Sequence, residues 1–337
     1  MESALRVPEG LEGVVVAETG ISDIDGVNGR LSYRGVAIDE VAKRFRRWED
    51  LVPWLVHGVD LNLKPLDIER SARAVDRQPM VQLIHCLLEA NEVWPFPDQE
   101  TEIAWLTALP GWVVGESPQA HSSVAAAYLT GLRHGLRPTP VEEQTLNAYW
   151  IIAAEHSLNA STYAVRVAAS TGTSLPLALT AGLATLAGPL HGGAPEGVLT
   201  LLREAAGVED LDRWLSDKVS RGERLMGFGH RVYRTLDPRA AALRDMFRHL
   251  ADESDVVSHA AAVEAAALRV LEHMKPDRTL ATNVEFYAAA VLQGLEIPSA
   301  WCPVTFALAR LAGYTAHYYE QRAHGRLIRP LAIYRLR

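Results

Sequence analysis

Only two cysteines occur among 337 residues, Cys86 and Cys302, far apart and outside any metal-ligand spacing. They read as free thiols in a reducing cytoplasm, so neither a disulfide framework nor a cysteine metal site is expected. No stretch reaches the roughly 18 uninterrupted apolar residues of a membrane span. The most apolar segment, Leu175–Leu190, is cut by prolines and glycines and reads as buried helix. Residues 1–13 carry acids and no apolar run, so no signal peptide is expected there and the location expected is cytoplasmic. Basic excess is also missing. Lys plus Arg is 33, Asp plus Glu is 41, and the formal charge is −8. That argues against a nucleic-acid partner. An anionic substrate would have to be held by local arginines against the average field. Fixed-period repeats and low-complexity linkers are absent.

What is present is a large apolar fraction, 48% of residues, enough for one big domain and a smaller one. The β signal is confined to the start. Gly13–Glu18 alternates like a short strand, and Ile21–Asp25 and Leu31–Tyr33 flank Asn28-Gly29, a dipeptide suited to a hairpin turn. Helical punctuation follows. Ser117-Pro118 predicts a helix running to Gly135. Thr139-Pro140-Val141-Glu142 combines an N-cap, a first-turn proline and a capping-box glutamate, opening a run towards His156. Ser174 and Pro176 open another, ending at Gly188-Pro189. Leu211, Trp214, Leu215 and Val219 recur at helical spacing, as do Val263, Ala267, Val270, Leu271 and Met274. Asp237-Pro238 starts a further helix, and Pro303–Gly325 spans a long one. Roughly ten such segments with short connections imply an all-α fold.

Several positions combine chemistry-bearing side chains with permissive surroundings. His191 lies between Gly188-Pro189 and Gly192-Gly193, where a ligand can approach closely, or where a helix simply ends. His230 follows Gly227-Phe228-Gly229, whose N–H groups could face an anion, or which forms only a tight turn. Arg239 stands in a helix's first turn after Asp237-Pro238, a plausible carboxylate site or a solvated arginine. His156 and Asn159, at i and i+3, share a face if helical. Arg310 and His317, seven apart, share a face of the long terminal helix. There Arg310 needs a buried partner or a wet cleft, unless it reaches the surface. Glu285 lies between apolar neighbours. Burial would raise its pKa as a general base requires, though a lone glutamate is more often a surface residue.

In chain order the sequence carries EHSLNAS (155–161), GPLHGG (188–193), GFGHRVY (227–233), DPRA (237–240), NVEFY (283–287) and RLIRP (326–330). This set resembles the citrate synthase family, methylcitrate synthases included. The match is dense over 10–42 and from 155 onward, and thin over about 45–150. The resemblance implies a homodimer of all-α, two-domain subunits with a short N-terminal β-hairpin. Residues 1–194 and 306–337 would form the large domain and 195–305 the small one, around a cleft that closes on substrate. It implies no metal and no bound cofactor, with acetyl-CoA or another acyl-CoA as co-substrate of an oxo acid, oxaloacetate.

By position, the resemblance implies that His191, His230 and Glu285 are catalytic. His191 would hydrogen-bond the enol oxygen formed from the thioester, with Ser161 orienting it. His230 would polarise and protonate the ketone. His156, Asn159, Arg239 and Arg310 would bind the oxo acid, and Arg329 would reach the partner subunit's site. Gly227, Phe228, Gly229 and Arg231 would lie against CoA. Two residues depart from the family pattern. Glu285 replaces an aspartate, and a misplacement of ~1 Å can cost on the order of 100-fold in rate. Pro195 replaces an asparagine, removing an N–H and a side-chain amide. These departures leave open another acyl-CoA or oxo acid, or a catalytically weak ligand-binding paralogue.

Overall fold

The computed structural model describes residues 8–11, 13–61, 63, 78–92, 95–191, 194–229, 237–251, 255–277 and 280–334. Three short strands, β1 (Ser22–Asp25), β2 (Arg30–Tyr33) and β3 (Val36–Ala37), form one antiparallel sheet with Ser22 opposite Tyr33. The hairpin turn is set by Asp25, whose Oδ1 accepts the N–H groups of Val27 and Asn28 at 3.1 and 2.9 Å, and by Gly29 at φ +63°. Gly13–Glu18 is not a strand. Alternation needs a partner to pair with, and among the described residues none does so. The Val14 N–H turns back on Leu11, and Val15 is exposed.

The rest is helical: α1 (Ile38–Arg44), α2 (Trp48–His57), α3 (Pro79–Glu92), α4 (Gln99–Trp112), α5 (Val124–Leu132), α6 (Pro140–Ala153), α7 (Ala160–Ser170), α8 (Leu175–Leu186), α9 (Ala194–Ala205), α10 (Leu211–Ser220), α11 (Pro238–Ala251), α12 (Asp255–Met274), α13 (Val284–Gly294) and α14 (Cys302–His324). The capping box at Thr139 and Glu142 opens α6, and Ser174 caps α8 through the Leu177 N–H. Ser117-Pro118 begins only a single 3-10 turn, Pro118–Ala120. The chain then straightens at His121, and Ser123 caps α5 instead.

Buried along most of its length, α14 packs on α2, α6, α7 and α8. Helices α9 to α13 pack on one another, and α11 and α13 reach back onto α6. The described residues contain no helix long and apolar enough to cross a membrane. Neither cysteine takes part in a disulfide.

Candidate active site

The loop between α6 and α7 is held from three sides. The Tyr33 hydroxyl lies 2.8 Å from the carbonyls of Ile152 and Glu155 and accepts the Glu155 N–H at 3.1 Å. Ser22 donates to Glu155 Oε1 at 2.9 Å and accepts the Ser157 N–H at 3.1 Å. His317 Nε2 lies 3.1 Å from the same carboxylate oxygen, and its Nδ1 lies 2.6 Å from Nη1 of Arg166. A guanidinium only donates, so Nδ1 of the fully buried His317 ring accepts from Arg166 and its Nε2–H faces Glu155. Burial pushes the Glu155 carboxyl up. The neighbouring His317 ring first, then the Arg310 charge and the Ser22 hydrogen bond, more than offset it, so it lies below the usual range.

His156 and Asn159 sit in this loop rather than on a shared helix face. The chain takes φ +51° at Ser157, and Asn159 serves as the N-cap of α7, accepting the N–H groups of Ser161 and Thr162 at 3.1 and 3.0 Å. A side-chain cap of this kind ends one helix pattern and starts another.

Half-buried His191 lies in the turn after α8. Its Nε2 is 2.7 Å from Ser161 Oγ and 3.3 Å from the Ser161 backbone nitrogen. A backbone N–H can only donate, so Nε2 accepts and the ring proton sits on Nδ1. Burial, then the charge of Arg310, push the His191 pKa below its ordinary value. The ring is therefore a neutral donor. Pro195 falls in the first turn of α9. An N–H there has no intrahelical partner to lose.

Glu285 is placed by two sets of contacts at the start of α13. Asn283 caps the helix, taking the N–H groups of Glu285 and Phe286 at 3.0 and 3.3 Å. Residues 227–229 are strapped to residues 281–283: Phe228 pairs antiparallel with Thr282, Gly229 N–H donates to Ala281 at 2.8 Å, and Asn283 N–H donates to Gly227 at 2.9 Å. Asn283 Nδ2 adds a bond to the Gly229 carbonyl at 2.8 Å. Gly227 has φ +93°, and a Cβ there would lie 2.9 Å from Cβ of Phe286, so only glycine fits. The Gly229 N–H is thus spent on a carbonyl, not available to an anion as the glycine spacing suggested. Gly227 and Phe228 are buried, with the Phe228 ring 5.3 Å from that of Phe286. His230 and Arg231 follow directly and lie outside the described residues.

Half-buried Glu285 is pushed above the ordinary carboxylate range by burial first. Arg239 opposes this, Asp237 adds to it and Arg224 opposes it. Arg239 itself is buried and forked on Asp237, with Nε and Nη2 at 3.0 and 2.9 Å from its two oxygens. Asp237 also accepts the Val284 N–H at 3.3 Å. Sequence reasoning saw Asp237 only as a helix opener. An acid two residues before an arginine at a helix start was the available signal.

Arg310 is 6% exposed, and its Nη1 has no hydrogen-bond partner among the described residues. Its guanidinium carbon lies 5.4 Å from the Phe306 ring centre. A buried cationic N–H left unmet is costly, and a ligand carboxylate would meet it. The Arg310 charge bears on His191, Arg239 bears on Glu285, and both arginines bear on buried Tyr33 and Tyr149. His191, Arg310, Arg239 and Glu285 therefore share one electrostatic neighbourhood. Arg329 is not among the charges that bear on these groups. It is exposed in the extended segment after α14, near Leu331 and Tyr334, which are 98% and 85% exposed. Among the described residues, no group of three or more His, Cys, Asp or Glu side chains could hold a metal ion.

The profile of the family described as "Citrate synthase, C-terminal domain" matches residues 10–87 and 107–331. The chain is 37% identical to "Putative citrate synthase 2" of Mycobacterium tuberculosis, over 97% of this chain and 94% of that protein. It is 32% identical to the citrate synthase of Acidithiobacillus ferridurans, over 96% and 94%. Against the "Citrate/2-methylcitrate synthase" of Bacillus subtilis the identity is 31%, over 99% and 98%. Among solved structures, it resembles citrate synthase from Thermoplasma acidophilum in a ternary complex with carboxymethyl coenzyme A and oxaloacetate. That match has a TM-score of 0.81 and 25% identity, covering 98% of this chain and 97% of that one.

Proposed function

Given that the chain belongs to the citrate synthase family, we propose that it condenses acetyl-CoA with oxaloacetate to give citrate and CoA. The observation that carries this reading is the buried Arg310 guanidinium, whose unmet N–H suits a carboxylate of the oxo acid. Arg239, His156 and Asn159 complete the oxo-acid site, and Arg329 reaches the site of the partner subunit in a homodimer.

Glu285 removes a proton from the thioester methyl group. Its raised pKa makes it a stronger base than an ordinary carboxylate. As charge moves onto the thioester oxygen, His191 Nδ1–H donates a hydrogen bond to it and stabilises the enolate that develops. The new nucleophilic carbon attacks the ketone, and His230 supplies the proton to its oxygen. Water then cleaves the thioester and releases CoA. No bound cofactor is needed. CoA lies against the outer edge of Gly227–Gly229, with Arg231 at its phosphates. The large domain, 1–194 and 306–337, and the small domain, 195–305, form the two walls of the cleft. The protein works in the cytoplasm.

A propionyl substrate is the second reading, supported by the likeness to a citrate/2-methylcitrate synthase. CoA release from acetyl-CoA and propionyl-CoA, each tested against several 2-oxo acids, decides the pair. Release with acetyl-CoA and oxaloacetate is expected. Calorimetric binding of oxaloacetate with no CoA released from any acyl-CoA would overturn the enzymatic reading.

A further inference from the structure

We propose that Tyr314 is a positioning residue for the reaction: its hydroxyl fixes the rotor of Ser161, so that Ser161 O–H points at His191 Nε2 and the ring keeps its proton on Nδ1 for the substrate. This rests on the role assigned above to His191.

The geometry is a chain of three side chains from three separate elements. Tyr314, on α14, donates to Ser161 Oγ at 2.5 Å, and Ser161 Oγ lies 2.7 Å from His191 Nε2. Burial pushes the Tyr314 hydroxyl up, so it stays protonated and acts as the donor. Ser161 has one hydroxyl proton. With the Tyr314 proton arriving at its lone pair, that proton must leave towards another acceptor. Two face it: His191 Nε2 at 2.7 Å and Asn159 Oδ1 at 2.8 Å. Asn159 Oδ1 is already occupied by the N–H groups of Ser161 and Thr162 at 3.1 and 3.0 Å. The imidazole nitrogen has only the longer 3.3 Å contact from the Ser161 N–H, so it is the better acceptor. Hydrogen bonds in such a chain polarise one another, and the Tyr314 bond makes Ser161 a stronger donor.

The packing is built for this reach. Tyr314 is 1% exposed, and a Cβ on Gly182 of α8 would stand 3.3 Å from its ring, so glycine there leaves the ring its space. The charged groups facing the chain are Arg310, which bears on both His191 and Tyr314, and Glu155, which bears on Tyr314. Neither donates to Nε2. A donor at Nε2 stabilises the neutral ring, so losing part of that donation raises the His191 pKa.

The test is Tyr314→Phe, which removes one oxygen from a buried ring. The full-length protein, labelled with 15N-histidine and with His191 assigned through His191→Gln, gives the tautomer and pKa by NMR without substrate. Steady-state assays give kcat and KM. The proposal expects wild-type His191 as the Nδ1–H tautomer. In the variant it expects an upward pKa shift, kcat lower by about tenfold and the oxaloacetate KM within about twofold. Ser161→Ala should reproduce these changes, and the double variant should lose little more. An Nε2–H tautomer in the wild type would overturn the proposal, as would an unchanged His191 in Tyr314→Phe or additive losses in the double variant. If the wild type releases no CoA, the functional reading fails, while the NMR result still decides the role of Tyr314.

Discussion

Asp237 grips the Arg239 guanidinium with both carboxylate oxygens and, through one of them, also takes the backbone N–H of Val284, the residue before Glu285. The arginine proposed for the oxo acid is thereby tied to the helix that carries the proposed base, so the two proposed roles would share one buried acid.

Asp237→Asn should move the acid limb of the kcat–pH profile downward. Asp237 pushes Glu285 up and Arg239 pulls it down, so removing the negative charge lowers the Glu285 pKa on both counts. A base must be deprotonated to act, so activity extends to lower pH. The oxaloacetate KM should rise by about tenfold as Arg239 loses its fork. An acid limb that stays in place would remove Asp237 from the tuning of Glu285.

Glu285→Gln should lower kcat by on the order of 1000-fold with oxaloacetate affinity nearly unchanged, as loss of a general base does. Calorimetry with oxaloacetate and a CoA-release assay check the two halves. Glu285→Asp should raise the rate. A clear fall would mean that the pocket is shaped around the longer side chain.

Gly313→Ala should destabilise the fold by about 2 kcal/mol, in the range of overpacked cores. Its added Cβ would stand 2.6 Å from the Ala154 carbonyl and closer still to Glu155 Oε2, in the loop carrying His156. Urea unfolding measures this. The oxaloacetate KM should rise in parallel, since relief of the clash must displace that loop.

Glu49 carries a pH signature of its own. Burial pushes its carboxyl from an ordinary 4.5 up to about 7, against the Val124 N–H bond and the Arg47 charge. Oε1 accepts that N–H at 3.1 Å, and Oε2 has no partner among the described residues. The folded state holds this proton more tightly than the unfolded chain. Stability therefore falls as pH rises from 4.5 to about 7 and levels off above. Glu49→Gln keeps an oxygen for the Val124 N–H and cannot ionise. It should flatten that window and stabilise the protein at pH 8 by on the order of 2 kcal/mol. Chemical denaturation across roughly pH 4 to 8 would show no such difference if Glu49 were solvated.

The sequence by itself determined the elements whose causes are local. Thr139 with Glu142, Ser174 before Pro176 and Asp237 before Pro238 mark helix starts within a few residues of chain, because a cap satisfies N–H groups only two or three positions ahead. His191 and Glu285 stood out by the company they keep along the chain. Local pattern also misled where the deciding partner was distant: Gly13–Glu18 alternates without a strand to pair with, and Asn159 caps a helix instead of sharing a face with His156. Only the tertiary structure decided that Gly229 spends its N–H on Ala281, that Asp237 is shared between Arg239 and Val284, and that Tyr314 lies behind Ser161 and His191. Those contacts join residues far apart in the chain. Nothing in local periodicity or spacing encodes which distant atoms will fill a donor or an acceptor once the helices have packed.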